Sequence, residues 1–452
     1  MMHFGYISVI AWGKRQKEDP HMKRMLVLLL LLAFLVACVP TPEKDYIVNR
    51  AEEQKPAEVD AAPDAVPIPV PAHASMTADP TEHVTVVVDA DVRFDADAPH
   101  PMIEVEALDL TRDDAAFSAF LELVASGATL YREWPETKDY VGALMQEAIQ
   151  YDDRLGDLVS IDQSFLDLLE VRYKNAPESP EKVPVDRPEA GGRYYIERPD
   201  GMISRICINF EPNSLDYCRD IREDYYEATM LEPGSPVVLT DPEISEADAR
   251  AKAEAFMKAF GAECDCLVET KRGFSIRYFT LSETLWAFTF VRSFNGTPSI
   301  ERPGSYQTAL DTPSSVGAPW SIESATLFVG KDGVVSAKFW GLSTAKRVAV
   351  KNAQLCDFDQ ALDMGVRQIG YLHDGAMDKP HHTYTVTNVN LCYGMQAKKD
   401  DLSVGVYQPM WELVYVDADN PDEQPKKLYV SALTGGHVEP RETVQHLMQR
   451  GT

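Results

Sequence analysis

Apolar and polar positions change their spacing several times along the chain. Near the start, thirteen apolar residues from Met25 to Ala37 follow the basic pair Lys23-Arg24. Beyond a proline-punctuated stretch, HVTVVVDADVRF (His83 to Phe94) is rich in β-formers, and MIEVEALDL alternates apolar residues at Ile103, Val105 and Ala107, which predicts strands. The spacing then becomes helical. Thr111 and Asp114 form a capping box ahead of Phe117, Phe120, Leu121 and Val124, and Gly127 ends the run. Helical pattern resumes from Tyr140 through about Tyr173, with Val141, Leu144, Met145 and Ile149 on one face.

A helix-then-strands order follows twice. In ISEADARAKAEAFMKAFG, Ser245 and Asp248 make a capping box, and Ala249, Ala253, Phe256, Met257 and Phe260 share a face. Strand patterns come next: CDCLVET, LWAFTFVRSFNGTPSI with an Asn295-Gly296 turn, and ATLFVGKDGVVSAKFWG with an Asp332-Gly333 turn. CDFDQALDMGVRQIGYL then supplies a second helix through Phe358, Leu362, Val366 and Ile369, ahead of TYTVTNVNLCYGM, YQPMWELVYVDA and KKLYVSALTGGHVE. The predicted class is α+β: an N-terminal α+β module, 81–176, then two repeats, 193–345 and 346–452, each a helix on an antiparallel sheet. The proline-rich stretch 177–192 is the expected linker between them.

The apolar run near the start is too short to cross a bilayer, which takes about twenty residues, but it suits the core of a signal peptide. Leu35-Val36-Ala37-Cys38 resembles the lipobox of bacterial lipoproteins. The resemblance implies a 22–38 signal peptide and lipobox, with diacylglycerol on Cys38 as the membrane anchor. Two acyl chains, palmitate for instance, give lasting attachment where one does not. Residues 1–21 are read as an upstream mis-start, with translation beginning at Met22. Residues 39–80 hold eight prolines and no glycine, and are expected to form an extended, disordered tether on the extracellular face of the cell membrane.

Charge narrows the partners. The net charge is −28, and loss of the basic leader makes the mature chain more negative still. Nucleic acid is excluded, because its binding relies on basic residues neutralising phosphates. With Cys38 assigned to lipid, six cysteines remain in an exported chain where disulfides persist. Cys207 and Cys218 flank INFEPNSLDY, whose Asn213-Ser214 suggests a turn, so they are the pair the spacing favours for a bridge. Asp89, Asp91, Asp95 and Asp97 lack the glycine and terminal glutamate of an EF-hand loop and are read as a solvated strand edge.

The closing MWELVYV and YVSALTGG resemble PepSY-type modules and the extracellular regulators of the YycH and YycI type. Together with the opening ACVPTPEK, the wider pattern is similar to uncharacterised lipoproteins of Gram-positive gut bacteria (Firmicutes). That resemblance implies a fold and an address and carries no catalytic residue. PepSY modules are associated with restraining proteases or binding proteins, so it implies an interaction role.

Gly-x-Ser-x-Gly, His-Glu-x-x-His and phosphate-cradling glycine loops are absent from the sequence, and no enzyme activity and no cofactor are expected. His373, His381 and His382, with Asp374 and Asp378, are weak candidates for a metal; a turn at Gly375 and Pro380 and the adjacency of two histidines argue against a common ion. Trp286, Phe288, Phe290, Trp340 and Trp411 are candidates for a binding face, although strand spacing also suits a core. The expected function is non-enzymatic protein or peptide binding, or regulation, at the cell envelope. The alternative is a lipid-anchored solute- or glycan-binding, or hydrolytic, cell-wall protein.

Overall fold

The two spacings separate cleanly in the computed structural model, which describes residues 65–125, 128–132, 136–149, 161–179, 182–198, 202–210, 213–231, 238–277, 280–300, 323–374, 381–398, 401–420 and 425–433. All of them fall within one unit, Pro56–Thr452. The chain begins with β1 (His73–Thr81), β2 (Val84–Arg93), β3 (Met102–Ala107), α1 (Asp114–Ala125) and β4 (Leu130–Arg132). It continues through α2 (Lys138–Ile149), α3 (Gln163–Asn175), β5 (Val183–Pro184), β6 (Arg193–Glu197), β7 (Ile203–Ile208), β8 (Leu215–Cys218) and β9 (Glu223–Glu227). Next come α4 (Glu246–Phe260), β10 (Cys266–Arg277), β11 (Thr280–Val291), β12 (Ser293–Phe294), β13 (Thr297–Pro298), β14 (Ser324–Gly330) and β15 (Gly333–Trp340). The last elements are β16 (Ser343–Val350), α5 (Phe358–His373), β17 (His382–Lys398), β18 (Asp401–Asp417) and β19 (Lys426–Ser431). Helices beside two large, mostly antiparallel sheets make this an α+β protein.

Among the described residues, a seven-stranded sheet runs β1-β2-β17-β18-β3-β16, with β19 also paired to β18. A ten-stranded sheet runs β5-β4-β6-β7-β8-β15-β14-β11-β10-β9. β2 and β17 run parallel, from Val84 beside His382 to Arg93 beside Asn390. On the seven-stranded sheet, α5 buries Phe358, Ala361, Leu362, Val366 and Ile369 against Val84, Val86 and Val88 of β2 and Leu413 of β18. The ten-stranded sheet has its own core under α1 and α4, where Phe120 meets Phe260 edge-on at 5.4 Å and Phe339 at 6.0 Å.

The helix caps explain where α4 and α5 begin and end. Ser245 accepts the Asp248 N–H at 3.2 Å, and Gly261 closes α4 at φ 75, where a Cβ is disfavoured. Asp357 accepts the Gln360 N–H at 3.1 Å and starts α5. The α1 cap differs from the sequence expectation. Asp113 accepts the Ala116 N–H at 3.0 Å, whereas the Thr111 hydroxyl donates to Asp109 at 2.6 Å. The Tyr140–Tyr173 pattern forms two helices, α2 and α3, which meet through Leu144, Ala148 and Leu169. Ile149, placed on the buried face by periodicity, is 65% exposed.

Segment boundaries also shift. β1 occupies the end of 39–80 and continues to Thr81, and ahead of it Ile68 and Val70 pack on the seven-stranded core while the Gln354 side chain bonds both the N–H and the carbonyl of Val66. Prolines at every second position hid this alternation, and Pro80 is tolerated because β1 is an edge strand. The stretch 81–176 does not form a sheet of its own. β2 and β3 pair with β17, β18 and β16, whereas β4 pairs with β6 and α1 packs on α4. β5, inside 177–192, pairs with β4. These long-range partners are set by tertiary packing, which local periodicity does not encode.

The chain crosses between the sheets after β3, between β15 and β16, and along Arg292–Ile300. At the second crossing Gly341 adopts φ 58, and the neighbouring Leu342 carbonyl accepts from Leu108 N at 2.9 Å and Asn213 Nδ2 at 3.3 Å. Beside it lies a buried ion pair: Arg292 Nε donates to Glu323 Oε2 at 2.7 Å, with the side chains 3% and 0% exposed. Glu323 also accepts from Ser343 N at 2.9 Å, Ser343 Oγ at 3.0 Å and the Tyr407 hydroxyl at 2.8 Å. Arg292 Nη2 donates to the Ser343 carbonyl at 2.6 Å, and Nη1 donates to Glu263.

A second charged knot fastens β3 to its neighbours. Arg347 of β16 donates Nε and Nη2 to Glu104 at 2.6 and 2.8 Å, and Lys398 of β17 donates at 3.0 Å. The Arg347 hydrogen bonds, opposed by burial and helped by Lys398, hold the Glu104 carboxyl at about 2, below its usual 4.5. The contribution to stability is therefore complete above the unfolded value and fades as pH falls from 4.5 toward about 2. Urea unfolding across that window should show Glu104→Gln losing on the order of 2 kcal/mol of the pH dependence, a figure that allows for solvent screening at Arg347.

Candidate interaction face

α1 and α4 cover one face of the ten-stranded sheet. Strand alternation sends the intervening residues to the other face, whose apolar cluster of Cys218, Tyr225, Leu285, Ala287, Phe328 and Val335 includes no helical residue. Register aligns this face into two cross-strand rows over β6, β7, β8, β15, β14, β11 and β10. One row runs Tyr195, Arg205, Cys218, Ser336, Phe328, Ala287, Lys271. Beside it runs Arg193, Cys207, Asp216, Lys338, Thr326, Thr289, Glu269.

The rows mix charge with an apolar centre. Lys271 Nζ lies between Glu227 at 3.0 Å and Glu269 at 2.8 Å, and Arg205 is 3.9 Å from Asp224. Lys338 Nζ sits 5.7 Å over the Phe328 ring, against which Tyr225 tilts at 5.9 Å. With Glu227 and Asp224 counted, cations and carboxylates balance here, on a chain whose net charge is −28. Such a strip presents partly exposed paired charges over a buried apolar centre, in which Phe328 is 2% exposed. The thiols add no nucleophile: burial, against the pull of Arg205, pushes Cys218 up to about 12, and burial also raises Cys207.

Cys207 and Cys218 do not form the bridge that their spacing favoured. Cys207 pairs with Asp216 and Cys218 with Arg205, so the two cysteines are diagonal neighbours, wider apart than a disulfide spans, and both are free. Most of the aromatic candidates belong to the cores. Phe288 and Phe290 are wholly buried, and Trp286 is half-buried with its indole N–H donating to the Ile244 carbonyl at 3.0 Å. Trp411 is 1% exposed under α5, edge-on to Phe358 at 5.1 Å. Trp340, half-buried opposite Ser324, is the candidate that sides with the helix-free face.

The three histidines serve different neighbours. His373 stacks on Tyr384 at 4.2 Å and bonds the Tyr415 hydroxyl at 3.1 Å, whereas His381 Nε2 is 3.3 Å from Thr85 Oγ1. His382 is buried, its ring 6.3 Å from Tyr384. Among the described residues, no three His, Cys, Asp or Glu side chains gather as metal ligands would. Asp89 and Asp91 are exposed on β2 and flank His73 at 3.0 and 3.2 Å. An open concavity at the end of α4 is lined by Glu254, Met257, Lys258, Gly261, Ala262 and Asp265. Cys38 and Asp378 lie outside the described residues.

Sequence reasoning missed Arg205, Lys338, Lys271 and Phe328. Their signal was present as every second residue of ISRICI, SAKFW, VETKR and ATLFV, but strand order was needed to see them as neighbours.

No protein-family model and no curated protein matches this chain. Among solved structures, it is similar to an uncharacterised protein from Eubacterium rectale, at 12% identity and a TM-score of 0.43, over 82% of this chain and 94% of that one. It is also similar to the Bacillus megaterium YpeB C-terminal domain, at 10% identity and a TM-score of 0.29, over 72% of this chain and 95% of that one.

Burial separates packing from display at adjacent positions. Phe288→Ala should lower stability by about 3–5 kcal/mol, whereas Thr289→Ala on the opposite face should change it by less than about 1 kcal/mol, both read by denaturant unfolding.

Proposed function

We propose that this chain is a surface-tethered lipoprotein that binds a protein or peptide at the cell envelope without catalysing a reaction. Cys38 carries the lipid in this reading, and the folded part stands on the extracellular face of the membrane. The observation that carries the binding role is the helix-free face, where the partly exposed side chains of Arg205, Lys271, Thr326 and Lys338 lie over a buried apolar cluster that includes Phe328. Wide sheet faces of this kind suit a macromolecular surface, with polar groups setting register around an apolar centre. The segments 193–345 and 346–452 are read as two PepSY-like modules. α4 leading into β10, β11, β14 and β15, and α5 leading into β17, β18 and β19, support that order. Among the described residues no helix is long and apolar enough to cross a membrane. The alternative, a glycan or solute site on the aromatic strands, is disfavoured by the burial of Phe288, Phe290 and Trp411 under helices.

Photo-crosslinking on intact cells, with the reactive group at Thr326 or Lys338 and a control at Thr385 of the other sheet, tests the role. Reproducible capture of one envelope protein from the first two positions and not from the third is the expected result. Equal capture at all three, or none, removes the proposal. Loss of fatty-acid labelling in Cys38→Ala checks the anchor independently.

A further inference from the structure

We propose that Arg292 and Glu323, neighbours at the ends of β11 and β14 in the ten-stranded sheet, form an inter-sheet latch through their bonds to Ser343 and Tyr407 of the other sheet, which holds two separately cored halves of the molecule in one arrangement. The halves have distinct hydrophobic cores, one under α1 and α4 and the other under α5. The apolar tie between them comes from the excursion that follows β11: Phe294 packs on Tyr393 at 4.6 Å and Tyr407 at 5.0 Å, and Ile300 covers Cys392, Met410 and Tyr429. Ser299 bridges to Tyr393 as a parallel strand partner, and Ile300 N donates to the Tyr393 carbonyl at 2.8 Å. Arg292 is the root of this excursion, its carbonyl accepting Ser299 N at 2.7 Å.

The chemistry favours an all-or-none device. Glu323 is fully buried, and its oxygens are satisfied only while Ser343 and Tyr407 from one half and Arg292 from the other are all in place. A carboxylate that keeps some of these partners and loses others remains desolvated without compensation, so partial opening is disfavoured relative to both the closed and the fully hydrated state. The Arg292 guanidinium, 5.7 Å from the centre of the Tyr407 ring, adds a second tie to the same β18 residue. Release lifts Ile300 and uncovers Cys392, 5% exposed in the closed arrangement.

Site-resolved maleimide labelling of the full chain, read by mass spectrometry, tests the latch. Tyr407→Phe deletes one donor to Glu323 and leaves the Arg292 pair intact. The expected result is labelling of Cys392 accelerated tenfold or more, with Cys218 in the other half unchanged. Calorimetry of Glu323→Gln should in addition replace one unfolding transition by two; should that variant not fold, the Tyr407→Phe labelling decides alone. Acceleration of both thiols together, or of neither, overturns the latch and leaves the pair as ordinary core packing. A single transition in folded Glu323→Gln overturns it as well.

Discussion

A carboxylate with no exposed surface, Glu323, sits where the chain passes between its two sheets, and the joint depends on keeping that charge satisfied. Each partner comes from a different passage. Arg292 opens the excursion after β11, Ser343 begins β16 at the second crossing, and Tyr407 lies on β18. Replacing a buried pair by well-fitted apolar residues often leaves stability unchanged or improved, so its contribution here lies in uniqueness more than in strength. An apolar joint of the same area accepts several docking angles. Here the bidentate guanidinium fixes the plane of the Glu323 carboxylate within its own sheet, and the directional bonds from that carboxylate to Ser343 and Tyr407 admit a narrower range of angles across the joint.

Much of the local structure was legible in the sequence. α4 and α5 follow the faces that the 3.6-residue spacing defined, and Ser245 caps the first as its spacing to Asp248 indicated. Asn295-Gly296 forms the turn between β12 and β13, and Asp332-Gly333 that between β14 and β15, with positive φ at Asn295, Gly296 and Gly333. What failed had a common cause. β1 was obscured by the prolines ahead of it and by Pro80, which an edge strand tolerates, and the strands up to residue 107 were grouped with α1 because they are contiguous with it. Contiguity is a poor guide once Val84, Val86 and Val88 find a better apolar surface on α5 than on their sequence neighbours.

The candidate site was less legible than the fold. Aromatic residues attracted attention on composition, and Phe288, Phe290 and Trp411 were absorbed by the cores because large apolar area belongs out of water. The residues that define the helix-free face are ordinary ones, Arg205, Lys271, Lys338 and Thr326, and they acquire meaning only through lateral pairing. Cys207 and Cys218 illustrate the same limit: the strands on either side of the turn do form a hairpin, yet a two-residue shift of register decides between facing and diagonal positions.

The parallel pairing of β2 with β17 has a temporal side. Val84 meets His382, so one of the first strands made waits for one of the last before its hydrogen-bonding edge is filled. Contacts so remote in sequence close late, since loop entropy must be overcome first. A chain made from its N-terminus first presents β1 and β2 as an orphan hairpin, two strands being marginal alone in water. The bonds that complete its sheet form only after β17 has been made, so that folding is sensitive to loss of that distant strand.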